Sequence, residues 1–310
     1  MAAYLAPTPL RRYAALDAAV GQGVRVWVKH ENYNPTNSFK ARNALSAMTS
    51  LTAEQKARGV VAATRGNHGQ GLAWAGELLG IPVTICVPLG NNADKNEAMR
   101  GYGATLIEEG RDYDEAALVA ERLVVERGLH LVHSTNDRDV IAGAGTLTLE
   151  ILEERPDLDA LVLAVGGGSQ AVGGLVVARA LRAGLSVYGV QAQGASAIFD
   201  AWRTGVPRVK ASADTFADGI ATRGVYAMTF EPLREGLAGF VTVSDEDIAR
   251  AMRLIMATTH SLVEGAGAAG LAGLFALREK LAGQSVGIVL SGSNVDAPTL
   301  TRVLSGNPYP

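Results

Sequence analysis

Short apolar runs rich in β-branched residues recur along the chain, each separated from the next by a longer stretch whose apolar positions repeat with helical spacing. VRVWVKHE, VVAAT, VTICVP, ATLIEEG, LHLVHS, ALVLAVGGG, SVYGVQA and SVGIVLSGSN are the strand-like runs. Strands alternating with helices are the mark of βαβ units. ALVLAV and VGIVL are apolar without a break, as strands of a parallel sheet covered on both faces must be. The pattern predicts an α/β protein of doubly wound parallel sheets.

Helix ends are legible in two places. Ser244 followed three residues later by Asp247 predicts a capping box ahead of a long amphipathic helix. DYDEAALVAERLVVERG places acids at its start, basic residues near its end and Gly128 as a stop. Residues 53–136 carry their own run of strands and helices, so the pattern predicts a small domain there inserted into a larger one of residues 1–52 and 137–310. Ligands of such folds bind outside the carboxyl ends of strands, which directs attention to the loops that follow them.

Composition narrows the classes. The 310 residues are 48% hydrophobic and 19% charged, an ordered globular profile. With 28 Lys and Arg against 31 Asp and Glu the net charge is -3, which gives no basic excess to hold nucleic acid. The single cysteine, Cys86, excludes an internal disulfide and reads as a core residue. No secretory leader or run of roughly 20 apolar residues is visible, so a soluble cytoplasmic protein is expected.

Three glycine-bearing loops follow predicted strands. In ATRGNHGQGL the turn Thr64, Arg65, Gly66, Asn67, His68 opens a helix whose first N–H groups suit an anion. In AVGGGSQ, Gly166, Gly167, Gly168 and Ser169 let backbone amides approach a single phosphate; the loop matches neither the dinucleotide fingerprint nor a P-loop. In VLSGSN, Ser291 offers a neutral hydroxyl. Each is also readable as a tight turn. A fourth element is NPTNSFKARNAL, where Lys40 follows Phe39 at the start of an amphipathic helix.

In that order, SFK, GNH, the glycine loop and SGSN resemble the fold-type II pyridoxal phosphate enzymes, and within them the threonine dehydratase and serine racemase branch. IPVTICVP, Lys95 before GYGA, VIAGAGTLTLEIL and FADGIA extend the likeness along most of the chain. The resemblance implies two tryptophan synthase β-like domains with pyridoxal 5'-phosphate in the cleft between them. It makes Lys40 the catalytic lysine bonded to the cofactor and sets Phe39 against the ring. Asn67 falls on the phenolic oxygen, Gly166 to Ser169 on the phosphate, Gly219 also near the cofactor, and Ser291 on the ring nitrogen. The turn Thr64 to His68 would receive the substrate carboxylate. The implied activity is β-elimination of water from a hydroxy amino acid, L-threonine or L-serine, by a homodimer.

This chain departs from that pattern at Arg65, where the family has a serine. An arginine exchanges protons poorly, so racemisation is disfavoured, and its guanidinium could instead clamp a carboxylate and select 3-hydroxyaspartate or another hydroxy amino acid. Asn37 replaces the glycine before SFK. Gln191 and Ala197 occupy the acidic places of the divalent-cation site, so no dedicated metal is expected. A third reading, from another class, is a catalytically idle ligand-binding protein on the same scaffold.

Overall fold

The computed structural model describes residues 1–306. In chain order its strands are β1 (Leu10–Arg12), β2 (Arg25–Lys29), β3 (Val60–Ala63), β4 (Val83–Val87), β5 (Thr105–Glu108), β6 (His130–Leu131), β7 (Ala160–Ala164), β8 (Ser186–Ala192), β9 (Gly239–Val243) and β10 (Ser285–Val289). Its α-helices are α1 (Ala14–Val20), α2 (Lys40–Ser50), α3 (Ala53–Arg58), α4 (Asn67–Leu79), α5 (Ala93–Gly101), α6 (Tyr113–Arg127), α7 (Arg138–Glu154), α8 (Ser169–Leu181), α9 (Ala197–Thr204), α10 (Ala227–Gly236), α11 (Asp245–Thr259), α12 (Gly265–Leu277) and α13 (Ala297–Leu304). Every run read as a strand from its apolar pattern forms one. β1 and β9 were not legible: β1 is three residues with both arginines exposed, and β9 is an edge strand.

The chain divides into two compact units, the first of Met1–Ala6 and Asn34–Ala144, the second of Pro7–Tyr33 and Gly145 onward. These limits differ from the segment 53–136 anticipated for the small domain, because α2 packs within the first unit. A β-carbon on Gly71 of α4 would lie 2.6 Å from the carbonyl oxygen of Lys40, and one on Gly143 of α7 would lie 2.5 Å from that of Arg42. Helices this close belong to one packed body.

The first unit is a parallel sheet in the order β5-β4-β3-β6. Alternate residues of one strand serve opposite faces: Val60 and Ala62 join Ile85, Met48, Leu72 and Met99 in one core, while Val61 and Ala63 join Cys86, Val119 and Leu123 in another. Two cores on two faces explain why VVAA reads as an unbroken apolar run. Each fully buried aliphatic side chain contributes about 1.5–3 kcal/mol of transfer free energy. Cys86 is core, as expected, and burial pushes its thiol up to about 11. Asp112 caps α6 by accepting from Glu115 N–H, and Gly128 ends it in the left-handed region.

The second unit is a sheet in the order β1-β2-β10-β7-β8-β9, parallel except where β1 runs antiparallel to β2. Ala160, Val162 and Ala164 of β7 face the core shared with α1, α11 and α12, and Leu163 faces α8. The predicted box is present: Ser244 Oγ accepts from Asp247 N–H and Asp247 Oδ2 accepts from Ser244 N–H. α12 is rich in glycine and alanine, and it lies so close to the sheet that a β-carbon on Gly273 would be 2.2 Å from Val190 Cγ2. No α-helix among the described residues is long and apolar enough to cross a membrane.

Candidate active site

Lys40 is the first residue of α2 and is half-buried. The turn before it is tight. Asn37 takes φ +53°, a left-handed conformation that asparagine tolerates better than most residues, which is how it stands in for glycine there. The Lys40 Nζ lies 4.7 Å from the Phe39 ring centroid and 3.4 Å from the carbonyl oxygen of Ser134. With the backbone of α2 held at Lys40 by Gly71 and at Arg42 by Gly143, the amine reaches the loop after β6.

Two imidazoles share that neighbourhood. His68, buried on the first turn of α4, donates from Nε2 to the Val132 carbonyl at 3.0 Å, which leaves Nδ1 as a buried lone pair with no hydrogen-bond partner. Burial first, and the Lys40 charge second, push its pKa down to about 3, so it is neutral at ordinary pH. His133 accepts at Nδ1 from the N–H groups of Thr135 and Asn136 at 3.0 and 2.8 Å, which places its proton on Nε2. Burial lowers its pKa as well, and the Lys40 charge adds to that.

The turn from β3 into α4 holds the rest of this set. Thr64 is buried and its Oγ1 accepts from Gly66 N–H at 3.1 Å. Gly66 is the residue before α4 and supplies no side-chain cap to the first turn of the helix. Arg65 is exposed and makes no ion pair among the described residues. Asn67 is the first residue of the helix and half-buried.

In the second unit the predicted phosphate loop follows β7. Gly168 takes φ +104° before α8, where no side chain caps the helix. A β-carbon on Gly166 would lie 2.4 Å from the carbonyl oxygen of Gly219, so the loop and the 3-10 turn Asp218–Ile220 close on each other. Thr229 Oγ1 donates to the Gly167 carbonyl at 2.7 Å and fixes the loop from below. Ser169 opens α8 and is buried. Ser291 is buried just past β10, the strand beside β7.

The structure thus gathers Phe39, Lys40 and the turn Thr64 to His68 in one unit, and Gly166 to Ser169, Gly219 and Ser291 in the other. His133 and the contact of Lys95 with the turn were missed. His133 is the penultimate residue of LHLVHS, and its position after a parallel strand was the available signal. Gln191 uses its amide to accept from Phe199 N–H at 2.9 Å, so its place is filled by a backbone contact. No cluster of three or more candidate metal ligands occurs among the described residues.

Each unit thus carries one candidate element, a half-buried amine at the start of α2 in the first and a glycine loop without a side-chain cap before α8 in the second. The model of the pyridoxal-phosphate dependent enzyme family matches residues 2–292, and the chain belongs to that family. It is 38% identical over 285 residues to an L-threonine ammonia-lyase of Thermotoga maritima, covering 91% of this chain and 70% of that one. It is 36% identical over 300 residues to an L-threo-3-hydroxyaspartate ammonia-lyase of a Pseudomonas species, covering 96% and 93%. Among solved structures, maize serine racemase superposes with a TM-score of 0.92 at 30% identity, covering 98% of this chain and 93% of that one.

Proposed function

We propose that this enzyme is an ammonia-lyase that eliminates water from a hydroxy amino acid, L-threonine or L-serine, giving a 2-oxo acid and ammonia. The observation that carries the reading is the half-buried Lys40 amine on a helix whose backbone is gripped by two neighbours. The residues fit pyridoxal phosphate: the start of α8 has no side-chain cap, the loop before it is so tight that a β-carbon at Gly166 would strike the Gly219 carbonyl, and helix-start N–H donors suit a phosphate. Gly166, Gly167, Gly168 and Ser169 would hold that phosphate, with Gly219 closing the loop. Lys40 would bond to the aldehyde carbon, Phe39 would lie against the ring, Asn67 would donate to the phenolic oxygen and Ser291 would face the ring nitrogen.

When bound, the cofactor supplies a conjugated sink for the electrons released at the substrate α-carbon. Once displaced from the aldehyde carbon by the substrate amine, the freed Lys40 Nζ would take the α-proton as a general base. The N–H groups of the turn Thr64 to His68 orient the substrate carboxylate. The neutral Ser291 hydroxyl does not hold the ring nitrogen protonated as an aspartate would, which favours departure of the β-hydroxyl as water over transamination. The retained Lys40 speaks against an idle binding protein. A homodimer working in the cytoplasm is part of the same proposal.

Ammonia and 2-oxo acid measured together across hydroxy amino acids test it. Equimolar release from threonine or serine is the expected outcome; cofactor-loaded protein that frees no ammonia from any of them overturns the assignment.

A further inference from the structure

Two consecutive carbonyls of the glycine loop are held by threonines. Thr229, fully buried in the first turn of α10, donates its hydroxyl to the Gly167 oxygen at 2.7 Å. The other acceptor within its reach, the Tyr226 oxygen at 3.4 Å, loses the single hydrogen to the shorter contact. Thr222, just past the 3-10 turn Asp218–Ile220, donates to the Gly166 oxygen at 3.4 Å. Gln191 fixes which way that hydroxyl points. It is fully buried on β8, and its Oε1 accepts from Phe199 N–H at 2.9 Å, a group that can only donate, so its Nε2 faces Thr222 Oγ1 at 3.4 Å. With that amide on a lone pair of Thr222, the hydroxyl hydrogen goes to the Gly166 carbonyl.

A peptide unit is planar and trans, so the N–H of one residue points opposite to the carbonyl of the residue before it. Holding the Gly166 and Gly167 carbonyls on threonine hydroxyls therefore turns the N–H groups of Gly167 and Gly168 away from those hydroxyls. Neither N–H donates to any group among the described residues, although Gly168 is itself buried. Buried N–H groups are rarely orphaned, so this pair is set for an acceptor from outside the chain. We infer that Thr222 and Thr229 are positioning residues for the cofactor phosphate, aiming the Gly167 and Gly168 amides at it, and that Gln191 sets the polarity of the Thr222 tie. The inference rests on the pyridoxal phosphate reading above and adds side chains that act on the phosphate only through the loop backbone.

The test loads the full-length chain with pyridoxal phosphate or with pyridoxal, in the wild type, Thr229→Val, Thr229→Ser, Thr222→Val and Gln191→Glu, with a chelator present throughout. Thr229→Val keeps the shape and loses the donor, and should weaken binding of the phosphorylated compound by about tenfold; Thr222→Val removes the longer bond and should weaken it by about threefold. Thr229→Ser should restore most of the wild-type affinity. Gln191→Glu is isosteric but its carboxylate only accepts, so it should draw the Thr222 hydrogen off Gly166 and match Thr222→Val. Pyridoxal should bind every one of these proteins within about twofold, and inorganic phosphate should raise the Tm of the cofactor-free wild type more than that of Thr229→Val. Unchanged discrimination between the two compounds in both Val variants, or equal loss for both compounds, overturns the positioning role and leaves the lyase reading intact. Variants that behave as expected in a protein that frees no ammonia would instead sink the lyase reading and leave the positioning role standing.

Discussion

The carbonyl oxygen of Lys40 lies where a β-carbon on Gly71 would approach to 2.6 Å, so α2 and α4 meet backbone to backbone at the residue proposed to do the chemistry. Gly71→Ala must push the two helices apart. Overpacking of this kind costs about 1–3 kcal/mol, and the displaced lysine should cost activity beyond that loss. Thermal unfolding and kcat measured on one preparation separate the two effects; a variant with native Tm and native kcat would show that the contact relaxes freely.

Lys40→Ala should abolish both the visible absorbance of the cofactor-loaded protein and ammonia release, while leaving the fold intact. Far-UV circular dichroism checks the last point. Full turnover without the amine would remove Lys40 from the mechanism.

Gly166→Ala drives a methyl group into the Gly219 carbonyl. Cofactor retention on dialysis should fall by about tenfold or more, since the amides of the loop no longer converge. Pyridoxal lacking its phosphate should bind wild type and variant alike; equal loss for both compounds would point to general damage.

His68 gives stability a pH dependence with a definite sign. Its folded pKa is depressed to about 3, while the unfolded imidazole titrates near about 6.5. Between those values the unfolded chain binds a proton that the native one refuses, so stability is full above the unfolded value and falls as the solution is acidified, by about 1.4 kcal/mol per pH unit for one such group. His30, depressed to about 4 by burial and the Arg11 charge, adds to the same slope until it protonates. Denaturant titrations at pH 7, 6 and 5 should show the decline, and His68→Gln should flatten it; an identical slope in the variant would contradict the assignment.

Cys86 offers a simple check on the first core. Its thiol is fully buried and pushed up to about 11. A thiol reagent at about pH 8 should label it only after unfolding. Rapid labelling of native protein would mean that β4 is not packed as described.

The fold was legible because its strands are buried on both faces and so announce themselves as apolar runs. Thr64 to His68, Gly166 to Ser169 and Ser291, singled out because they follow such runs, do follow strands β3, β7 and β10. β9 escaped because an edge strand has only half the burial to advertise, and β1 because it is short and charged. The place of α2 depends on two glycines distant in sequence, Gly71 and Gly143, whose meaning appears only when a second helix arrives. The same holds for Lys95: its approach to Gly66 is a tertiary contact between helices that follow adjacent strands, and no local pattern encodes it.

α12 carries a consequence for how this protein would answer mutational scanning. Where a glycine of this helix faces the sheet or a neighbouring loop there is no side-chain layer to absorb change, so enlargement at Gly267 or Gly273 should be lethal to folding. Read by tolerance alone, that segment would look as indispensable as the lysine. The two kinds of intolerance part company only when soluble yield is scored beside turnover: variants of α12 disappear from both, and variants of Lys40 from one.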